Sequence, residues 1–461
     1  MTRRLENGAD LRGPLQVAGA AGTSGQVLTS AGTGAVPTWT TPSGGGGGGL
    51  THFVESESTA APNATIPVDA LTATDAGYTN IDVALVAKGT GATLAQVPDA
   101  TATGGNKRGQ KATDFQKERT SAIQVASGNW STIGGGYGNR ASADTSVVAG
   151  GITNNATGSS AVVAGGDSNT AGALYASVGG GNGNNASGTR ATIAGGATNI
   201  ASSNYSFVGG GQSNTASTDT HATICGGQSN SATGQYAFIG GGLSNISSNR
   251  ASVGLGESAT ASGSNSTVSG GYLNTASASG ATVVGGTYNT ANSASSTVIG
   301  ARGNTRSVVG YTVFAAHSND ILSSVQGAAQ GGLLVLAVVT TDATATVLVS
   351  NAQSAQSINQ VALPANSAYY FKGSVIAGVT GGGNTKAWSF EGAVKRGATA
   401  ASTAIVGSVV LNTIAQDSGA SAWSIAITAD TTNGAIAVTV TGAAATTIRW
   451  VAKLETTEMT Y

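Results

Sequence analysis

The side chains with the most chemical capacity in this sequence recur in a column. Trp130, Thr145, Ser160, Tyr175, Arg190, Tyr205, His221, Tyr236, Arg250 and Asn265 follow one another at steps of fourteen to sixteen residues. Aromatic rings with donors at their rims suit sugars, whose C–H faces are apolar and whose edges are polar. Trp130, Tyr175, Arg190, Tyr205, His221, Tyr236 and Arg250 are therefore the glycan-binding candidates. A plainer reading competes and carries more weight at this stage. The column would share an outward face with Val147 and Phe207 and pack between chains.

Other chemistries find little support. Glycoside hydrolysis needs two carboxylates about 5–10 Å apart. Asp144, Asp167, Asp219 and Glu257 fall at different places in the recurring pattern, and Asp320, Asp342, Glu391, Asp417 and Asp430 are scattered near the C-terminus. His52, His221 and His317 show no metal-ligand spacing. The glycine-rich stretches carry no Walker lysine. The expectation is a structural chain that is not an enzyme, with no catalytic residue, cofactor or metal.

Net charge is −1, from 20 basic and 21 acidic residues, which gives no electrostatic case for a nucleic-acid partner. Lys107, Arg108, Lys111, Lys117 and Arg119 lie beside Asp114 and Glu118 without interleaved aromatics, so interchain Asp114–Arg119 pairing at a neck is expected instead. Cys225 is alone and expected to be a small packed thiol. The N-terminus lacks an apolar signal region. The longest apolar run, Leu333 to Val339, is too short for a membrane helix. Synthesis in a cytoplasm and no membrane insertion are expected.

The element that positions the column is a repeat. Ile133, Val148, Val163, Val178, Ile193, Val208, Ile224, Ile239, Val253, Val268, Val283 and Val298 are fifteen apart, with one step of sixteen and one of fourteen. Two residues before each anchor stands Ala or Ser. A glycine pair follows each anchor, broken only at Leu255 and Ala301. Six residues after it comes asparagine: Asn139, Asn154, Asn169, Asn184, Asn199, Asn214, Asn230, Asn245, Asn274, Asn289 and Asn304, with Ala259 the exception. So short a register means one β-solenoid turn per repeat. Anchor and preceding Ala/Ser share the inner face of a strand, the glycines make the bend, and the asparagines form a structural ladder. The Leu255/Ala259 turn is expected to mark a bend or a loosened contact.

Twelve turns at roughly 4.8 Å make a shaft of about 55–60 Å. One Val or Ile per turn is a thin core, so sister chains are expected to cover a second face that includes Val147, Val162, Phe207 and Phe238. The fold class is all-β: a β-solenoid or β-roll shaft of fifteen-residue repeats, assembled from more than one chain, followed by a C-terminal antiparallel β-sandwich. Four segments result: 1–49, an N-terminal segment ending in the linker Gly44–Gly49; 50–129, a small β domain with a strand at Ile81–Val86 and a connector; 130–306, the solenoid; and 307–461, the sandwich. In the last, Trp423/Ile425/Ile427 and Ile436/Val438/Val440 flank a hairpin signal, Asp430-Thr-Thr-Asn-Gly434.

The repeats resemble the head repeats of trimeric autotransporter (YadA-like) adhesins, in the longer form found in phage tail proteins. Gly104-Gly-Asn-Lys-Arg-Gly109, Ala112-Thr-Asp114, Arg119 and Gln124-Val-Ala-Ser-Gly128 are similar to a connector of phage tail fibres. Gly22-Thr-Ser-Gly-Gln-Val-Leu28 with Pro37-Thr-Trp39 is similar to a short motif of the same fibres. Leu363-Pro-Ala-Asn-Ser367 and Ile448-Arg-Trp-Val451 resemble a terminal domain of phage structural proteins. The resemblance implies a virion tail fibre and a homotrimer. Its N-terminal region would meet a baseplate or tail protein, and its distal part a host surface polysaccharide or lipopolysaccharide. A bacterial trimeric surface adhesin is the alternative, and a polysaccharide-degrading tailspike carries less support.

Overall fold

The structure, a computed structural model, describes residues 87–316 and 325–461 together with short stretches between 16 and 73. Residues 1–86 and 87–461 are separate units. In the first, Gln16–Val17 pairs with Ala20–Ala21, Val27–Thr29 with Thr38–Thr40, and Phe53–Ser58 with Val68–Ala73, all antiparallel. Gly44–Gly49 and the strand expected at Ile81–Val86 lie outside the described residues.

The second unit opens with the solenoid. Each regular turn contributes two-residue strands to two parallel sheets. One runs through the Val/Ile anchors, and the other through the alanines that follow the asparagines, from Arg140–Ala141 to Thr290–Ala291. Parallel pairing begins upstream of the regular repeats, Thr93–Leu94 on Thr113–Asp114 and these on Thr132–Ile133. Anchors and the preceding Ala or Ser are buried throughout. The hydroxyls of Ser131, Ser146, Ser206 and Ser296 bond back to their own corner, as Ser146 Oγ does to the Ala143 carbonyl at 2.6 Å, whereas Ser266 Oγ does not.

The asparagine column is a buried ladder. Asn154 Nδ2 donates to the carbonyls of Gly150 in its own turn and Gly166 in the next, at 3.0 and 2.9 Å. Its Oδ1 accepts the backbone N–H of Asn169 at 3.0 Å. Gln116 begins the ladder, its Oε1 accepting the Asn139 N–H. Asn304 does not belong to it. The last turn is one residue shorter at this corner, so the N–H of Gly303 meets Asn289 Oδ1, and Asn304 bonds Gln330 instead. In the regular turns the second glycine is required for a further reason: a Cβ on Gly181 would lie 2.0 Å from the Gly196 carbonyl oxygen, at φ +91°.

The turn containing Leu255 and Ala259 is not loosened. Leu255 continues the strand where other turns bend at glycine, and the ladder lengthens to Phe238–Leu243, Ser252–Glu257 and Thr267–Tyr272. The sixteen- and fourteen-residue steps both fall between the inward alanine or serine (Ala216, Ser247) and the next corner residue, so strand register is unbroken on either side.

Thr297–Ala301 pairs in parallel with Thr312–Ala316, which pairs antiparallel with Ala329–Thr340 and so carries the shaft sheet into the C-terminal domain. There Ile448–Thr460 lies between Ala329–Thr340 and Ser367–Val379, followed by Thr385–Arg396 and Ala404–Gln416. A second sheet centres on Ala435–Thr441, paired with Ser424–Asp430 across the expected hairpin. Asp430 accepts the N–H groups of Thr432 and Asn433, which fixes that turn. The two sheets enclose one core in which Trp450 stacks on Trp388 at 5.7 Å and touches Trp423 at 6.0 Å. Helix is confined to two 3-10 turns among the described residues.

Shaft and sandwich are joined by a buried polar network. Glu458 accepts from Arg306 Nε at 3.1 Å, Gln330 Nε2 at 2.8 Å, Thr456 Oγ1 at 2.8 Å and the Tyr311 hydroxyl.

Candidate functional site

The candidate column sits at the corner where the second sheet returns to the first, and every described member has left-handed backbone: Trp130 φ +54°, Tyr175 +58°, Arg190 +57°, Tyr205 +59°, His221 +66°, Tyr236 +56°. This turns each N–H along the shaft axis onto a carbonyl of the preceding turn, as Tyr205 does to Thr189 at 2.9 Å. The side chain is left projecting into solvent. Tyr175, Tyr205 and Tyr236 remain about half exposed, at 51%, 46% and 52%.

Turn spacing then forces stacking. Tyr205 and His221 lie 4.9 Å apart with planes 2° from parallel, and His221 and Tyr236 5.0 Å apart at 22°. Arg190 lies between Tyr175 and Tyr205, 5.2 and 5.4 Å from their centroids, and donates to the Tyr205 hydroxyl at 2.8 Å. Tyr175, Arg190, Tyr205, His221 and Tyr236 thus make one ribbon. The expectation of free aromatic faces needs correction: inside the ribbon the faces cover one another, and solvent meets their edges, hydroxyls and nitrogens. Arg250, next along, donates to Gln235 Oε1 at 3.3 Å. Trp130 stands apart, separated from Tyr175 by Thr145 and Ser160, whose hydroxyls share a 2.7 Å bond.

Other expectations are resolved differently. Asp114 pairs within its own chain with Arg108 at 2.7 Å, both fully covered. Arg119 donates to the carbonyls of Thr103 and Gln116. Cys225 is exposed on the outer face of the anchor sheet, between Gly209 and Gly240, because residues directly after an anchor point outward.

Two groupings escaped sequence reasoning. Tyr272 meets Tyr288 edge-on at 5.4 Å, with Arg302 4.9 Å over Tyr288, at the opposite corner near the end of the shaft. On the outer face of the sandwich, Lys372 stands directly between Glu391 and Glu455 on neighbouring strands. These three, with Lys453 and Asn412, line an open groove. Lys453 and Lys372 reach Glu455 at 2.7 and 3.2 Å, and their hydrogen bonds hold its carboxyl below the ordinary value. Glu391 accepts the Tyr370 hydroxyl at 2.9 Å. Two strand spacings, about 9.5 Å, separate the strands that carry the two glutamates. Counting in steps of two from Trp450 would have found Glu458, and cross-strand pairing is what brings Glu391 to Glu455.

No protein-family model and no curated protein sequence matches the chain, so its likeness to YadA-type repeats stands on the motif alone. Two solved structures are similar to it. One is tailspike protein gp49 from the Acinetobacter baumannii bacteriophage Fri1, a capsular polysaccharide depolymerase, with TM-score 0.19 and 9% identity over 88% of this chain and 74% of that one. The other is the tailspike protein of the Acinetobacter phage vB_ApiP_P1, with TM-score 0.17 and 10% identity over 76% of this chain and 82% of that one. Such TM-scores give no shared course of chain to argue from. The expectation that the chain is not an enzyme no longer stands, with a depolymerase among its structural neighbours. The premise that carboxylates lie scattered also fails at Glu391 and Glu455.

Proposed function

We propose that the chain is a phage tail protein that adsorbs the virion to a host surface polysaccharide, capsular or lipopolysaccharide, along the ribbon on its shaft. The observation that carries this is the exposed Tyr175–Arg190–Tyr205–His221–Tyr236 stack. The left-handed corner belongs to the fold, but large side chains there do not: Gly280 and Gly310 occupy the same corner without the roughly 1–2 kcal/mol cost of a Cβ. Bulky residues in strained, solvent-facing positions point to recognition. Residues 1–49 would attach to the baseplate or tail after synthesis in the host cytoplasm, with 50–129 as connector, 130–306 as shaft and 307–461 as tip.

The assembly proposed is a homotrimer. Its support is an exposed apolar seam on the anchor sheet, through Phe207, Phe238, Val284, Ile299 and Phe314, that continues onto the outer face of the sandwich at Val335. Light scattering of the purified chain tests this, and a monomer contradicts it. Replacing Tyr175, Tyr205 and Tyr236 together by Ala tests the ribbon. Lost polysaccharide binding with the oligomer intact is expected. A broken oligomer returns the ribbon to chain packing.

The Glu391/Glu455 groove favours a second activity, cleavage of the bound polysaccharide. It holds two carboxylates on one face, two strands apart, and hydrolysis with inversion uses a pair on the order of 6.5–9.5 Å apart. Release of reducing ends that disappears in Glu391→Gln supports this, and release that persists in both Glu391→Gln and Glu455→Gln contradicts it.

A further inference from the structure

The ribbon has a gap, and we infer that the gap is a subsite for two consecutive uncharged sugar units of a polysaccharide lying along the shaft. This rests on the glycan reading above. Thr145 and Ser160 occupy the corner column where neighbours carry rings, so two successive turns present hydroxyls in place of aromatic faces. The gap is bounded by Tyr175 and Trp130, three turns apart, or about 14 Å. Arg190 covers the distal side of Tyr175, and no ring or other cation among the described residues stacks on the side toward Ser160, where Tyr175 stays half exposed. Trp130 is 55% exposed and stacks on no other ring among the described residues. These are the faces the interior of the ribbon lacks.

One turn of rise is close to the advance of one pyranose along an extended glycan, so two turns without rings leave room for two sugars between Tyr175 and Trp130. The Thr145 and Ser160 hydroxyls form the floor. Asp144, exposed at the rim with one carboxylate oxygen taking the Asn129 N–H at 2.9 Å, adds an acceptor and repels a second negative charge. The pair bound here is therefore hydroxyl-rich and carries no acid group.

The fold supplies its own plug. Tyrosine already sits in this backbone conformation at positions 175, 205 and 236, so Thr145→Tyr with Ser160→Tyr completes the ribbon without new strain. The unmodified full chain is titrated calorimetrically with a panel of purified bacterial capsular polysaccharides and lipopolysaccharide O-chains. The plugged variant, with unchanged melting and oligomeric state, is expected to lose affinity about tenfold or more, and Trp130→Ala to lose it similarly. Unchanged or tighter binding by the plugged variant, while the triple tyrosine variant loses binding, overturns the gap and leaves the ribbon standing. No binding of any panel member by the unmodified chain overturns both.

Discussion

The shaft and the sandwich solve the same problem, burying a long β chain, with opposite means. In the shaft each regular turn buries one Val or Ile and a few small residues, and in all but the Ala259 turn and the last an asparagine of the ladder as well. In the sandwich, Trp388, Trp423, Trp450, Phe371 and Phe390 fill a core between two sheets. One region is held by repeated polar bonds of fixed geometry, the other by apolar volume. A repeat can therefore change its outer residues freely, while the sandwich depends on particular large side chains.

The largest effect expected is in the sandwich. Trp450→Ala removes the centre of the tryptophan cluster and the bond from its indole to Thr340. It should cost about 3–5 kcal/mol, lowering a tip transition in calorimetry and leaving the shaft transition in place. A single transition that moves as a whole would erase the distinction between the regions.

In the shaft, Asn199→Ala orphans the carbonyl of Gly195 and the N–H of Asn214, and leaves the Gly211 carbonyl with only the Ala197 N–H. At about 1–3 kcal/mol per unsatisfied buried group, it should exceed Ile193→Val, for which about 0.5–1.5 kcal/mol is expected. Chemical denaturation of both variants reads this order, and the reverse order would make the shaft an apolar structure after all.

The joint should respond to alkali. Burial first, and Glu458 second, hold the Tyr311 and Tyr369 hydroxyls well above their ordinary value. The unfolded phenols ionise at about pH 10. The folded joint keeps its protons longer, so its contribution is complete below that pH and is lost as pH rises beyond it. Tip melting should fall across about pH 9 to 11, less steeply in Tyr369→Phe. Equal slopes would place the titration elsewhere.

The smallest effect expected is at the ribbon. Tyr236→Gly relieves a left-handed Cβ and loses one stacking partner, about 1–2 kcal/mol against about 0.5–1.5 kcal/mol. Thermal stability should barely move, whereas a large loss would make the ribbon part of the scaffold.

The solenoid was legible because a fifteen-residue rhythm writes every buried position twelve times over. Its upstream turns were not, since steps from Thr93 to Thr113 to Thr132 have no regular period. The left-handed corner was half legible: Asn265 stood in the column, and Gly280 and Gly310 continue it, all residue types that favour such backbone. What residue types could not reveal is that rings at this pitch cover one another. The groove was illegible for a different reason, because Glu391 and Glu455 meet only through the register of three strands.

Both anchor steps that depart from fifteen residues fall beside the ribbon, at Ser217–Thr220 and Ser248–Asn249, and neither shifts a ladder bond. That edge of the shaft can gain or lose a residue while the inner scaffold stays in step. A molecule built this way can change the surface it presents one loop at a time, with the rest of the shaft unaltered.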